Sequence, residues 1–355
     1  MWGYFENEVL VLRAAFGRDL GHVKEFMIGI NDAGQRLDRF VSKAVPLLPG
    51  SLAQKYIRIK RIKVGGKGVR RDYMLCAGDL VQMYVNDEFF TTALDVGAVL
   101  APLRPAEPGR ENLPHAPRIV YEDENILLVN KEAGVLCHSA GGYDYGSVIS
   151  VVQSYLYHNG EWRPKDENAF APALCNRIDR NTSGIVIAAK NAESLRIIND
   201  KISLREIDKF YLAAVHGSPM PPSGRLEGYL LKDTARNLSY VTAEPRPGAK
   251  LSATEYNTLD SKGRLSLLEC RLITGRAHQI RAQLYDIGHP LLGDIKYGGK
   301  QINKPYGESH QALCAYKLVF SFRSDAGMLS YLNGKTFELT NTPFAEKYFN
   351  RQKTH

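Results

Sequence analysis

Three short segments combine charged residues with turn-forming residues inside otherwise apolar sequence. The first, residues 176–184, reads NRIDRNTSG and places Asp179 between Arg177 and Arg180, directly before an apolar run. Neighbouring positive charge favours the ionised form of a carboxyl group, and a carboxylate can act as a nucleophile or stabilise developing positive charge. On composition alone an Asx turn explains this segment more readily. Asp179 is therefore a candidate catalytic residue that needs support from the rest of the chain.

Two further segments share this mixture of residue types. Residues 209–211, Lys-Phe-Tyr, open an apolar strand-like run and place Tyr211 near its start. Residues 274–299 read TGRAHQIRAQLYDIGHPLLGDIKYGG and include Arg276, His278, Arg281, Gln283 and Lys296. This composition predicts a surface that accepts anions, with Arg281 available to pair with a carboxylate and Arg276 available to bind substrate. His278 and His289 are interpreted as structural hydrogen-bonding residues.

Familiar cofactor and metal motifs are absent from the sequence. It contains no G-x-x-x-x-G-K-[ST] phosphate loop, no G-x-G-x-x-G fingerprint after a strand, and no H-E-x-x-H or G-x-S-x-G motif. The H-x-E and P-C-x-x-C pattern of zinc deaminases is missing as well. We therefore expect a site that uses neither a metal nor a small-molecule cofactor.

Length and charge describe a globular chain with one strongly basic region. The 355 residues suffice for about two domains, and no apolar run reaches the roughly 18–20 residues of a membrane span. Five cysteines lie far apart without a C-x-x-C pair, which predicts reduced thiols and a cytoplasmic location.

The positive charge is concentrated in one region: residues 35–71 carry eleven Lys and Arg residues and one acid, and the whole chain has a net charge of +8. This concentration of positive charge predicts a nucleic-acid-binding module. The alternative is an ordinary solvent-exposed charged surface, but such a surface usually carries both positive and negative residues.

Residues 31–88, which include this basic region, have the pattern of a small α/β domain. Apolar residues at helical spacing predict a helix that ends before Pro46, and Ser51-x-x-Gln54 predicts a capping box that opens a second helix. Short strands are expected at residues 62–64 and 80–85. The pattern resembles the αL RNA-binding motif shared by a small-subunit ribosomal protein and tyrosyl-tRNA synthetase. We expect five basic residues to contact RNA phosphates: Lys55, Arg58, Lys60, Arg61 and Lys63.

The remaining sequence divides into an extension, a linker and a larger domain. Residues 1–30 are interpreted as an N-terminal extension, and five prolines after residue 100 predict a semi-rigid linker over residues 89–117. Residues 118–350 contain several short apolar runs typical of strands and three helical stretches, near residues 146–157, 191–203 and 277–287. Because strands outnumber helices and do not alternate with them strictly, we predict an α+β fold with a mixed, largely antiparallel sheet.

The three charged segments resemble, in order and wording, the motifs of the RluA-type pseudouridine synthases. That family reads H-R-L-D-x-x-T-S-G, then K-x-Y, then T-G-R-x-H-Q-I-R and G-H-P-I-x-G-D-x-x-Y-G. With the strand pair ILLVNKEAGVL the likeness covers about residues 119–322, and the αL-like domain and linker precede it in the family's usual order. The resemblance implies a pseudouridine synthase fold and an isomerase that converts uridine to pseudouridine within RNA. The expected substrate is large-subunit ribosomal RNA, with transfer RNA as the alternative.

The resemblance also implies roles for individual residues. Asp179 matches the aspartate that attacks either the ribose anomeric carbon or the uracil ring. Tyr211 matches the tyrosine that packs on the flipped base and is a candidate to relay the carbon-five proton. Arg281 matches the basic residue that pairs with the aspartate, and Ile280 the apolar neighbour beneath the base. Arg177 matches the arginine that fills the space left by the extruded nucleotide.

Four positions depart from the family pattern, which commonly has Pro, His, Leu and His where this chain has Glu132, Asn176, Ile178 and Cys314. None of these four positions is one that matches the family's aspartate, tyrosine or basic residue, which are Asp179, Tyr211 and Arg281 here. Two other functions stay open on the residues alone. A non-catalytic RNA-binding or ribosome-assembly factor on the same scaffold would tolerate loss of the Asp179 carboxylate. A hydrolytic glycosylase would need a second carboxylate, and the first segment contains none.

Overall fold

The computed structural model describes three stretches of the chain: residues 23–90, 116–138 and 146–350. These form two compact units. One contains the first stretch together with Arg163–Ala171, and the other contains the remaining described residues. Most of the predicted N-terminal extension and of the predicted linker lies outside the described residues.

The N-terminal unit is a three-stranded antiparallel sheet with two helices. Its elements are β1 (Lys24–Met27), α1 (Leu37–Ala44), α2 (Gly50–Arg58), β2 (Ile62–Val64) and β3 (Leu80–Met83), followed by a 3-10 turn at Asp87–Phe89. The strand order is β1-β3-β2. Leu37, Phe40 and Val41 are fully buried in the core of this unit, as their helical spacing in α1 predicts.

Helix α2 begins differently from the prediction. Pro49 is the N-cap, and its carbonyl oxygen accepts hydrogen bonds from the Leu52 and Ala53 N–H groups at 2.9 Å. Ser51 already lies within the helix and makes no capping hydrogen bond, so the predicted capping box is wrong. Strand β3 ends at Met83, two residues before the predicted end, and β1 places residues before position 31 in the sheet.

A segment from much later in the sequence, Arg163–Ala171, completes the N-terminal unit. The carboxylate of Asp32, which is 1% exposed, accepts hydrogen bonds from Asn168 Nδ2 at 2.8 Å and from the Ala169 N–H at 3.1 Å. Asn168 also donates to the carbonyl oxygen of Met27 at 2.7 Å. A distant segment therefore satisfies a buried carboxylate of this unit, which no local sequence pattern predicts.

The larger unit is built on an 11-stranded sheet. Its strands are β4 (Ile119–Glu122), β5 (Ile126–Lys131), β6 (Ala173–Leu174), β7 (Ser183–Ala189), β8 (Ile207–His216), β9 (Ser223–Asp233), β10 (Leu238–Thr242), β11 (Lys250–Lys262), β12 (Leu265–Leu272), β13 (Leu313–Phe320) and β14 (Thr336–Glu338). Its helices are α3 (Val148–His158), α4 (Ala192–Ser203), α5 (Gln279–Asp286), α6 (Lys300–Asn303) and α7 (Pro343–Phe349). Helices α3, α4 and α5 begin within two residues of the three predicted helical stretches.

The strand order is β10-β9-β11-β12-β8-β13-β7-β5-β4, with β14 beside β13 and β6 beside β7. Among the described strands, β13 and β7 form the one parallel pair and all other pairs are antiparallel. This confirms the predicted α+β fold with a mixed, largely antiparallel sheet. Tyr211 lies on the central strand β8, opposite Cys270 of β12 and Ala315 of β13.

The glycine that ends the first charged segment has a structural cause. Gly184 has a φ of +119°, and a Cβ atom there would lie 2.3 Å from the carbonyl oxygen of Ala315 on β13. Only glycine allows β7 to approach β13 this closely. Within the described stretches no helix is long and apolar enough for a membrane span, and no cluster of three or more His, Cys, Asp or Glu side chains is arranged to hold a metal ion.

Candidate active site

Asp179 lies in the loop between β6 and β7, at a bend closed by a 3.1 Å hydrogen bond from the Thr182 N–H to the Asp179 carbonyl oxygen. Its carboxylate points to another part of the chain, because Oδ2 accepts a hydrogen bond from Nη1 of Arg281 at 2.8 Å. The Asp179 side chain is 28% exposed, whereas that of Arg281 is 6% exposed. Oδ1 of Asp179 has no hydrogen-bond partner among the described residues and is therefore available to a substrate.

Arg281, on α5, is held by a second carboxylate. Its Nε and Nη2 donate to the two oxygens of Asp294 at 2.7 and 3.0 Å, and its guanidinium carbon lies 5.1 Å from the centre of the Tyr297 ring. Burial alone would lower the pKa of Arg281, but hydrogen bonds and charge attraction from Asp294 and Asp179 raise it above its ordinary value. The guanidinium therefore stays charged and bridges two carboxylates.

His278 flanks the same carboxylate. It has a left-handed φ of 55° immediately before α5, and its Nε2 lies 3.8 Å from Asp179 Oδ2. Its Nδ1 lies 3.2 Å from the Tyr297 hydroxyl. Burial lowers the pKa of His278, and the positive charges of Arg281 and Lys296 lower it further against the opposing effect of Asp179. The imidazole is therefore neutral at pH 7, in keeping with the structural role expected of it.

Tyr211 belongs to a buried hydrophobic cluster that also contains Ile178 and Ile280. This cluster brings the second charged segment beside the first and the third. Burial, followed by the negative charge of Asp179, raises the pKa of Tyr211. The hydroxyl therefore stays protonated at neutral pH, so it can donate a hydrogen bond but is a poor base. Asp179, Tyr211, Ile280 and Arg281 thus come from three distant segments to one place.

The two arginines beside Asp179 in the sequence do not contact its carboxylate. Arg180 donates from Nε to the carbonyl oxygen of Gly134 at 2.9 Å. Arg177 is exposed and forms no ion pair with the described residues. The expectation that these neighbours hold Asp179 ionised needs correction, because the guanidinium that contacts the carboxylate is that of Arg281. Adjacent residues in an extended loop point in different directions, so sequence proximity is a poor guide to ion pairing.

Arg276 lies in the turn that leads into α5. The turn is fixed by Gln279, whose Oε1 accepts hydrogen bonds from Thr274 Oγ1 at 2.8 Å and from the Arg276 N–H at 3.1 Å. Gln279 Nε2 donates to the carbonyl oxygen of Ala253 at 2.9 Å. Arg276 itself is exposed, and its Nε donates to the Leu251 carbonyl oxygen at 3.1 Å. The residues of T-G-R-x-H-Q thus fix the start of α5, and Arg276 does not contact Asp179.

The five predicted RNA-binding residues lie in the N-terminal unit: Lys55, Arg58, Lys60, Arg61 and Lys63. The first three are exposed, on α2 or just beyond its end. The Arg61 guanidinium carbon lies 4.7 Å from the Tyr56 ring centre, and Lys63 Nζ lies 5.2 Å from that of Tyr84. None of the five forms an ion pair with the residues described in this unit, so their charges are available to an anionic partner.

Known proteins match most of the chain. A family model described as RNA pseudouridylate synthase matches residues 125–286, which include Asp179, Tyr211 and Arg281. An uncharacterized RNA pseudouridine synthase of Mycoplasma genitalium is 32% identical over 302 residues, covering 83% of this chain and 88% of that protein. Ribosomal large subunit pseudouridine synthase C of Salmonella typhimurium is 28% identical over 299 residues, covering 82% of this chain and 85% of that protein. The chain belongs to the RluA-type pseudouridine synthase family.

Membership of this family confirms the resemblance seen in the three segments and the enzyme class, an isomerase that acts on RNA. Three of the four departures from its pattern can be described by their surroundings in this pseudouridine synthase. Asn176 Oδ1 accepts a hydrogen bond from the Ile187 N–H of β7 at 2.8 Å. Glu132 forms an exposed salt bridge with Arg118 at 2.7 Å. Cys314 is buried on β13, and burial raises its pKa to about 11, so the thiol is uncharged.

Sequence reasoning missed the supporting role of Lys131. Its side chain ends β5 and is 2% exposed, and Nζ donates to the carbonyl oxygens of Glu132, Val135 and Arg180, each at 2.8 Å. Burial lowers the pKa of Lys131 to about 8, against the attraction of nearby groups that include Asp179. One ammonium group therefore joins the loop after β5 to the residue that follows Asp179. The available signal was a lysine at the end of an apolar run, because lysine is rarely buried.

Asp294 was missed as well. The Gly-Asp pair of the third segment reads as a turn, yet the Asp294 side chain is 2% exposed and holds Arg281 by two hydrogen bonds. A buried carboxylate requires a counter-charge, and here that counter-charge is the guanidinium which also contacts Asp179. Arg281 therefore cannot be understood as the partner of Asp179 alone.

Proposed function

We propose that the chain isomerises specific uridines to pseudouridine in large-subunit ribosomal RNA, and that it acts in the cytoplasm. The N1–C1′ glycosidic bond breaks, the uracil turns while still bound, and C5 forms a new bond to C1′. C5 loses a proton and N1 gains one, so substrate and product contain the same atoms and no cofactor is consumed. Asp179 is the catalytic group, and its carboxylate attacks either C1′ or the uracil ring.

The observation that carries this proposal is the pairing of Asp179 with Arg281 at 2.8 Å. The guanidinium orients the carboxylate through a charge-assisted hydrogen bond. Asp179 is 28% exposed and Asp294 is 2% exposed, so Asp179 is the carboxylate of the pair that a substrate reaches. Its Oδ1 has no partner among the described residues, which leaves one oxygen to approach the nucleoside.

The target nucleoside has to leave its helix to reach Asp179. Tyr211 and Ile280 pack against the extruded uracil, and Arg177 occupies the space that the nucleotide leaves. Extrusion costs a few kcal/mol, and a cation in the gap offsets part of this. The raised pKa of Tyr211 favours packing and hydrogen-bond donation over proton abstraction by its phenolate.

The N-terminal unit supplies RNA affinity without sequence selectivity. Lys55, Arg58, Lys60, Arg61 and Lys63 contact phosphates and position the RNA, so binding weakens as salt is raised. The name of the Salmonella typhimurium relative, ribosomal large subunit pseudouridine synthase C, supports ribosomal RNA of the large subunit as the substrate class. These five cations, which form no ion pair with the described residues, support a structured anionic polymer rather than a free nucleoside as the substrate.

The test uses large-subunit ribosomal RNA transcribed without modifications, with transfer RNA transcripts in parallel. After incubation with purified protein, pseudouridine is mapped by carbodiimide treatment and primer extension. We expect new stops at a small set of positions with the wild type and none with Asp179→Asn. Asp200→Asn, which alters an exposed carboxylate on α4, serves as the matched control and should give the wild-type pattern.

The absence of stops with the wild type, or unchanged stops with Asp179→Asn, would remove the proposal. Stops confined to transfer RNA would change the substrate. Release of free uracil would indicate a hydrolytic glycosylase. Full complementation of a deletion strain by Asp179→Ala would indicate a ribosome-assembly factor that needs no catalysis.

A further inference from the structure

Arg281 is shared unequally between two carboxylates. Asp294 receives two hydrogen bonds, from Nε at 2.7 Å and from Nη2 at 3.0 Å, whereas Asp179 receives one, from Nη1 at 2.8 Å. The planar guanidinium has a fixed fork of donors, so two bonds to one carboxylate determine its orientation. Asp294 therefore sets the direction from which Nη1 reaches Asp179.

Asp294 is itself held by the backbone. Its Oδ1 accepts hydrogen bonds from the N–H groups of Lys296 at 3.1 Å and Tyr297 at 3.4 Å. The preceding residue is fixed too, because the Gly293 N–H donates to Asn303 Oδ1 at 2.7 Å. Gly293 has a φ of +77°, and a Cβ there would lie 2.1 Å from the His310 carbonyl oxygen. The Asp294 carboxylate is thus anchored in a loop that has little freedom to adjust.

We propose that Asp294 is a positioning residue for the isomerisation, acting through Arg281. It occupies the paired Nε–Nη2 edge of the guanidinium, so that only Nη1 is directed at Asp179. Oδ1 of Asp179 is thereby kept free for the nucleoside. Without Asp294 the Arg281 guanidinium is free to rotate and to bind both oxygens of Asp179 in a bidentate pair. The Asp179 carboxylate would then have no free oxygen for its attack on the nucleoside.

This inference rests on the proposed function, and its test measures rate and RNA affinity separately. Single-turnover formation of pseudouridine is followed on the RNA identified by the mapping experiment, with dissociation constants measured on the same RNA. Asp294→Asn should lower the rate constant by about 100-fold, the scale expected when a catalytic group is misplaced by about 1 Å, and leave the dissociation constant within about threefold. Asp294→Glu, which keeps the charge but shifts the carboxylate, should fold and lose about tenfold in rate.

Glu206→Gln is the matched control for loss of a buried ion pair. Glu206 is buried in the same unit and pairs with Lys201 at 2.9 Å. The residue that follows it belongs to a different hydrophobic cluster from the one that contains Tyr211. It should lower the melting temperature without lowering the rate constant. A rate loss that merely tracks melting temperature across the three variants would assign Asp294 a structural role and overturn the proposal.

A double-mutant cycle tests whether Asp294 acts through Arg281. In an Arg281→Lys background, which lacks the fork, adding Asp294→Asn should lower the rate constant by no more than about threefold further. Equal losses in both backgrounds, or a rate for Asp294→Asn within about threefold of the wild type, would overturn the inference. The proposed function fails separately, when the wild type forms no pseudouridine or Asp179→Asn retains activity.

Discussion

Arg281 and Asp179 are 102 positions apart in the sequence, and the Arg281 Nη1 to Asp179 Oδ2 distance is 2.8 Å. The aspartate precedes β7 and the arginine lies on α5, so the strand order of the sheet and the packing of α5 create this contact. Because the same guanidinium also holds the buried Asp294, its loss should affect both stability and catalysis.

Arg281→Met should therefore destabilise the protein strongly. It leaves the Asp294 carboxylate, 2% exposed, without its counter-charge, and breaking a buried pair costs about 3–5 kcal/mol. Urea unfolding followed by circular dichroism gives the change in the free energy of unfolding. Arg271→Met is the control, since Arg271 pairs with Asp208 at 2.9 Å but is 40% exposed, and it should cost about 1 kcal/mol or less. Equal losses for the two variants would contradict the buried bridge.

Tyr211→Phe should retain turnover within about tenfold of the wild type, because its raised pKa disfavours a role for the phenolate, whereas a general base would contribute about 10²–10⁴-fold. Tyr211→Ala removes the ring and should lose far more. Tyr256→Phe is the control, since Tyr256 lies in the same hydrophobic cluster and donates to the Pro221 carbonyl oxygen at 2.9 Å. Initial rates of pseudouridine formation measure the loss of turnover in each variant. A loss for Tyr211→Phe as large as that for Tyr211→Ala would make the hydroxyl essential.

Lys131 should make stability depend on pH in the alkaline range. Burial lowers its pKa from 10.5 to about 8 in the folded protein. Between these values the unfolded state binds a proton that the folded state does not, so this group raises stability with pH by about 1.4 kcal/mol per unit. Lys131→Met does not titrate and lacks this contribution. Urea unfolding between about pH 8 and pH 10 should show a stability difference that grows in favour of the wild type, and a constant difference would contradict the lowered pKa.

Lys55→Ala and Arg58→Ala should weaken RNA binding uniformly across RNA sequences. Each removes one exposed cation of α2, so each should reduce the slope of log affinity against log salt by about one. Filter binding over a series of potassium chloride concentrations measures this slope. Arg323→Ala is the control, because Arg323 is an exposed cation of the larger unit that no motif assigns to RNA. An unchanged slope for all three variants would place the RNA contacts elsewhere.

The fold class and the main helices could be predicted because their signals are local. Apolar runs such as SGIVIAA mark β7, and the three helical stretches begin within two residues of α3, α4 and α5. Arg281 contacts Asp179 in the structure, and this is the pairing that the family motifs imply. The functional roles of all the predicted site residues stay predictions: Asp179, Tyr211, Arg281, Arg177, Ile280, Arg276 and the five basic residues of the N-terminal unit.

The supporting residues could not be predicted because their partners are distant or are backbone atoms. Lys131 holds the carbonyl oxygen of Arg180, 49 positions away, and a carbonyl leaves no trace in the residue types. Asp294 lies 13 positions from Arg281, but its burial depends on how α5 packs, which spacing alone does not determine. Side-chain contacts to the backbone are the part of such a site that only a three-dimensional structure reveals.

The burial of Asp32 has a consequence for the evolution of this chain. Its carboxylate depends on Asn168 and Ala169, so part of the N-terminal unit is encoded more than 130 positions downstream. A recombination event that exchanged only the upstream coding sequence would deliver a unit whose buried carboxylate lacks these two hydrogen bonds. Exchange of this N-terminal unit for that of a relative would therefore require replacement of both segments together.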